Sequence, residues 1–113
     1  MPHLQATVIM EIKTWIDDNL DKNITIASAA KRAGYSKRHL QRIFKHHTGL
    51  SLARYIRQEK IMKATSDLLT TSMPVIDIAS KYGFDDQQSF SKIFKKIYNT
   101  PPGQWRKRMA NIK

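Results

Sequence analysis

The chain has 113 residues, 20 Lys and Arg against 9 Asp and Glu for a formal charge of +11, and an apolar content of 41%. That is room for one ordinary domain or two very small ones, and too little for a large cofactor-binding enzyme. A folded domain this basic attracts polyanions. Without cysteine it has no disulfide and no thiolate metal site, so nothing calls for an oxidising compartment. No apolar run approaches the roughly 18 residues of a membrane span, and the N-terminus lacks the basic-then-apolar order of a signal peptide. The expectation is a cytoplasmic protein that does not touch membranes.

Glycines and prolines are few and apolar residues recur at three and four, so the chain reads as all-α with about seven helices. Val8, Ile9, Ile12, Trp15, Ile16 and Leu20 stripe a first helix. Thr25 is placed to cap a short second helix, Ile26 to Ala33, which stops at Gly34. Ser36 caps a third, running to about His46, and Ser51 opens a long fourth ending near Leu69. Pro74 suits the first turn of a fifth that continues through Tyr82 to Gly83. Asp86 caps a sixth reaching about Ile97, Pro101-Pro102 starts a last short helix with Trp105, and a basic tail follows.

Charge is segregated along this order. Residues 1–30 hold two Lys against four acids, residues 31–63 hold ten basic groups against Glu59 alone, residues 64–91 are mildly acidic, and residues 92–113 hold seven basic groups and no acid. Two separated basic blocks suggest two contacts on one extended anion.

The second half repeats the first. Ala30 and Gly34 match Ala79 and Gly83, each glycine precedes an aromatic (Tyr35, Phe84), and each turn leads to a cap (Ser36, Asp86). One extra residue in the second turn sets the later offset to 50, which lays Leu40 to Lys45 against Phe90 to Lys95. A short helix holding a small residue, a glycine turn and a second helix is the helix-turn-helix spacing, here duplicated. The parts are a first helix-turn-helix subdomain (8–50), a linker helix (51–70) and a second subdomain (74–108), together one DNA-binding domain over 1–113.

On a helical wheel Leu40, Ile43 and Phe44 take one arc, and Lys37, Arg38, Gln41, Arg42 and Lys45 the other. In the sixth helix Phe90, Ile93 and Phe94 face in while Gln87, Gln88, Ser91, Lys92 and Lys95 face out. Surface helices ordinarily mix in acids, and these faces carry basic, amide and hydroxyl groups instead. Arg forks to guanine O6 and N7, and Gln pairs with adenine N6 and N7, so this is an inventory for reading the major groove of double-stranded DNA.

The stretches Gly34-Tyr35-Ser36-Lys37, His39 to Phe44, Tyr55-Ile56-Arg57, Tyr82 to Asp85, Gln87 to Ser91 and Pro101-Pro102-Gly103-Gln104-Trp105-Arg106 resemble the AraC/XylS family of bacterial transcription regulators, closest to its small MarA/SoxS/Rob/RamA subgroup. The likeness runs from about Trp15 to Arg106. It implies two helix-turn-helix units joined by the long helix, binding as a monomer to one asymmetric promoter element. It implies base contacts from Arg38, Gln41 and Arg42 in the first unit and from Gln87, Gln88, Ser89 and Lys92 in the second. Ser91 joins these from its place on the outer face, and Ser36, Lys37, Lys45, Lys95 and Lys96 are expected to hold phosphates. Arg38 stands where the closest members usually have tryptophan, and Lys92 where they usually have arginine. Many members add an effector-binding domain for which no residues remain here, so control by abundance is expected, with no small-molecule effector. The resemblance further implies activation through contact with RNA polymerase, and a role in stress or multidrug-resistance gene expression.

Other chemistry finds little footing. His39, His46 and His47 lack a carboxylate or cysteine to complete a metal set, and the pairs Asp17-Asp18 and Asp85-Asp86 diverge on a helix or serve as caps. No nucleophile triad or phosphate loop is present. The expectation is a non-enzyme without cofactor or metal; the alternative is a non-specific basic nucleic-acid-binding protein of the packaging or ribosome-associated kind.

Overall fold

The computed structural model describes residues 2–111, so Lys113 of the basic tail lies outside the described residues. Among them are seven helices and no strand: α1 (Pro2–Asp18), α2 (Ile26–Ala33), α3 (Lys37–Thr48), α4 (Leu52–Thr70), α5 (Val75–Lys81), α6 (Gln87–Tyr98) and α7 (Pro102–Ala110). The all-α expectation holds, with small differences at helix ends: α3 runs on to Thr48, and α5 stops at Lys81 with Tyr82 as its C-cap. The first helix extends back from its apolar stripe to Pro2, and Pro74 stands one place before its helix as the N-cap, with φ −57° and ψ 148°. Proline restricts the residue before it and tolerates this extended ψ at its own position.

The chain divides into two compact units, residues 1–59 and 60–113, so α4 gives its first half to one and its second half to the other. In the first unit α1, α2 and α3 pack on one another, burying Ile9, Ile12, Ile16, Leu20, Ala29, Ala30, Leu40, Ile43 and Phe44 with Leu52, Tyr55 and Ile56 of α4. Small Ala29 and Ala30 let α2 approach closely. In the second unit Ile61, Ala64 and Leu68 of α4 are buried, as are Ile78, Ala79, Tyr82, Phe90, Phe94, Pro102 and Trp105. Phe94 centres a ring cluster, with centroids 5.9 Å from Phe90, 4.6 Å from Tyr98 and 5.6 Å from Trp105.

The internal repeat goes further than the two helix-turn-helix segments. At the offset of 50, the bounds of α3 correspond in residue number to those of α6 at both ends, and the start of α4 to the start of α7. The turns between them use left-handed residues at matching places, Gly49 (φ 78°) and Asn99 (φ 60°), whose N–H groups donate to the carbonyls of Lys45 and Lys95. Asparagine is among the few side chains that enter this conformation readily. Beyond the turns, Tyr55 packs on Phe44 at 5.3 Å and Trp105 on Phe94 at 5.6 Å. Each unit is therefore a helix-turn-helix clasped between a preceding and a following helix.

Polar ties fix the clasps. The Tyr55 hydroxyl donates to the Asp17 carboxylate at 3.1 Å, linking α4 to α1. Burial, and then the charges of Asp17 and Glu59, hold that hydroxyl protonated well above the ordinary tyrosine range. In the second unit the Arg106 guanidinium donates to the Leu68 carbonyl at 3.0 Å. Asp67 accepts from the Tyr82 hydroxyl at 2.7 Å and from the Lys81 ammonium at 3.0 Å. Burial alone would raise the Asp67 carboxyl, but the bonds from Tyr82 and Lys81 outweigh it and hold it below its usual range. Tyr82 is pushed up to about 12, by burial first and by Asp67 next.

The linkage has two signs. A depressed carboxyl contributes stability that is present above its unfolded value of about 3.9 and is lost as pH falls through the lower folded value. A raised phenol contributes stability that is present below about 10 and is lost as pH rises toward the folded value of about 12. Thermal melts across pH are expected to show both limbs, with Asp67→Asn flattening the acid limb and Tyr82→Phe the alkaline one. Unchanged limbs would show that the tie contributes nothing to folding.

Candidate nucleic-acid interface

Each recognition helix is aimed by its own turn. Gly34 takes φ 79° after α2, and its N–H donates to the carbonyls of Ala30 and Lys31. Tyr35 then packs on His39 at 4.6 Å between ring centroids, and the Ser36 hydroxyl accepts the His39 N–H at 3.1 Å to start α3. In the second unit Gly83 takes φ 78°, and a side chain there would place its Cβ 3.6 Å from the Lys60 ammonium. Burial holds that ammonium below its usual range. Asp86 accepts the Ser89 N–H at 2.7 Å to start α6, a bond that keeps its carboxyl below the usual range.

With Leu40 and Phe44 held fully inside, the opposite face of α3 leaves Lys37, Arg38, Gln41, Arg42 and Lys45 exposed together, and Ser36 exposed at its start. The first-unit expectations are thus all brought to one surface. With Phe90 and Phe94 inside, α6 exposes Gln87, Gln88, Lys92, Lys95 and Lys96, with Ser91 half-buried between them. Ser89 is half-buried on the flank, its N–H taken by the cap. Neither helix contains an acid, and each ends in cations, Lys45, His46 and His47 in α3 and Lys95 and Lys96 in α6. Cations in the last turn also complement the helix dipole.

Two surface features escaped the sequence reading. A cleft of about 440 Å³ lies between the second half of α3 and the first turn of α4, lined by Gln41, Arg42, Lys45, His46, Ser51, Leu52 and Ala53. A larger groove of about 650 Å³ runs between α1 and the end of α2, where Met10, Trp15, Glu11, Asp18 and Arg32 meet. Among the described residues no group of three or more His, Asp or Glu is placed to hold a metal, and no helix is long and apolar enough to cross a membrane.

The helix-turn-helix domain model matches residues 29–108. The HTH-type transcriptional activator AarP of Providencia stuartii is 44% identical over 102 residues, which are 90% of this chain and 76% of AarP. The chain belongs to the AraC/XylS family, in its small MarA-like subgroup. The multiple antibiotic resistance protein MarA of Escherichia coli is 40% identical over 107 residues, 95% of this chain and 83% of MarA. Among solved structures, the C-terminal domain of AraT, a response regulator from Geobacillus stearothermophilus, superposes with a TM-score of 0.82 at 28% identity, covering 89% of this chain and 84% of that one. AraC/XylS proteins are helix-turn-helix transcription regulators and not enzymes, which agrees with the want of a catalytic constellation in the sequence.

Proposed function

We propose that the chain is a sequence-specific activator of transcription that binds one asymmetric promoter element as a monomer, each unit placing its recognition helix in the major groove. The observation that carries this is the pair of exposed, acid-free helix faces, Lys37, Arg38, Gln41, Arg42 and Lys45 on α3 and Gln87, Gln88, Lys92 and Lys95 on α6. The side chains differ between the faces, so the half-sites need not match. Arg42 and Gln41, mid-face, are the base readers of the first unit, with Arg38 beside them. Gln87, Gln88, Ser89, Ser91 and Lys92 serve the second, and Ser36, Lys37, Lys45, Lys95 and Lys96 hold phosphates.

Activation would proceed through RNA polymerase. The surface that fits is the α1–α2 groove, because Glu11 and Asp18 would repel DNA while Trp15, Met10 and Arg32 offer an anchor to a protein. A cytoplasmic location and expression of stress or multidrug-resistance genes complete the reading, the latter supported by the relatedness to MarA.

The test is binding to an element selected from randomised duplexes and to random duplex. The wild-type chain is expected to prefer the element by about 10³ or more. Arg42→Ala should cost about 1–3 kcal/mol on the element alone, whereas Lys45→Ala should weaken both duplexes alike and shallow the salt slope by about one. Equal affinity of the wild-type chain for both duplexes would instead support a non-specific packaging or ribosome-associated protein. Equal losses from Arg42→Ala would show that Arg42 holds only phosphate.

A further inference from the structure

Lys60 stands apart from the other described lysines. All of these are exposed except Lys13, whose ammonium lies over the Tyr55 ring at 5.6 Å. Lys60 is half-buried, and among the described residues it has no hydrogen-bond, ion-pair or ring partner. No carboxylate acts on its ammonium, which burial alone holds below the usual lysine range. The nitrogen still reaches solvent, because no side-chain nitrogen or oxygen among the described residues is both sealed from water and unpartnered. It rests on the turn that leads into α6, 3.6 Å from the point where a side chain on Gly83 would begin. At Gly34, the matching turn of the first unit, nothing lies within 4 Å of that point.

We infer that Lys60 is a site of acylation by an acyl phosphate, and that its acylation disturbs the second recognition helix while leaving the first in place. A half-buried lysine without a counter-charge keeps a larger share of free amine than one in water, and the free amine is the nucleophile. Lys63, exposed three residues on and so a neighbour along the helix, offers a cation to the phosphate of the donor. The ammonium first gives a proton to water. The amine nitrogen then attacks the acyl carbonyl carbon, a C–N bond forms, and the C–O bond to phosphorus-bound oxygen breaks with its electron pair leaving on phosphate. The second proton lost from nitrogen goes to solvent, and nothing is oxidised or reduced. The amide product is neutral, so the charge that burial disfavours is gone and no partner is left unpaired. Its added atoms crowd a nitrogen already at contact distance from Gly83, whose turn runs to the Asp86 cap and sets the start of α6. The effect on recognition rests on the DNA-binding reading above, and the reactivity of Lys60 does not.

The full chain is treated briefly with acetyl phosphate at about pH 7.5, where an ordinary lysine is almost wholly protonated, and its acetylated peptides are quantified by mass spectrometry. Lys60 is expected to react faster than the exposed Lys22 and Lys31 by about threefold or more, and its rate should level off at a lower pH than theirs. Footprinting of the treated chain on the selected element should need about tenfold more protein to protect the second half-site, the order of one lost base contact, with the first half-site unchanged. Lys60→Arg, treated identically, keeps the charge, cannot form this amide and should protect both half-sites. The inference is overturned if Lys60 reacts no faster than Lys22 and Lys31, if all three rates level off together, or if treated wild-type and treated Lys60→Arg chains protect the second half-site alike. An untreated chain that protects no element would defeat the proposed function, and the acetylation rates, measured without DNA, would still decide whether Lys60 is the site.

Discussion

Phe94→Ala is expected to destabilise the second unit by about 3–5 kcal/mol, the range for truncating a large buried aromatic. The ring is fully buried and stands within 6 Å of three other aromatic rings, Phe90, Tyr98 and Trp105. Its removal takes away the ring through which α6 packs on Trp105 of α7 and leaves a cavity in the core of the second unit. Denaturant titration followed by helical signal should show the variant's loss, and footprinting on the selected element should show the second half-site unprotected while the first persists. The contrast arises because the equivalent Phe44 belongs to the other unit, with its own partner in Tyr55. A loss under about 1 kcal/mol would show that the second unit does not depend on the ring cluster.

The helix ends were legible in the sequence because they are local chemistry. Ser36 and Asp86 accept the N–H groups three residues on, and Gly34, Gly49 and Gly83 all take positive φ. The recognition faces were legible for a related reason, since a 3.6-residue period fixes which side chains share a face once Leu40, Phe44, Phe90 and Phe94 are inside. Asn99 was not, because it performs the turn of Gly49 without being glycine. The ties of Tyr55 to Asp17 and of Arg106 to the Leu68 carbonyl span 38 residues each, and only packing decides such partners. The cleft beside Arg42 was hidden for the same reason. It exists because the Gly49 turn brings Leu52 and Ala53 back to α3, and nothing in the composition of either helix marks that return.

The largest effect on function is expected from the DNA. Two half-sites read in successive major-groove segments lie about one duplex turn, roughly 34 Å, apart. A monomer whose two units read successive major-groove segments needs both half-sites on one side of the duplex. Inserting about five base pairs between them rotates one by about half a turn, so that one unit at a time can engage. Binding then falls toward that of a single unit, and much of the roughly 10³ preference over random duplex goes with it.

Stoichiometry and affinity measured together on the selected element and on its five-base-pair insertion test the central claim of two readers in one chain. The account predicts one protein per element and a loss of affinity on the insertion approaching the random-duplex level. Two proteins per element, or an affinity that the insertion leaves unchanged, would contradict it.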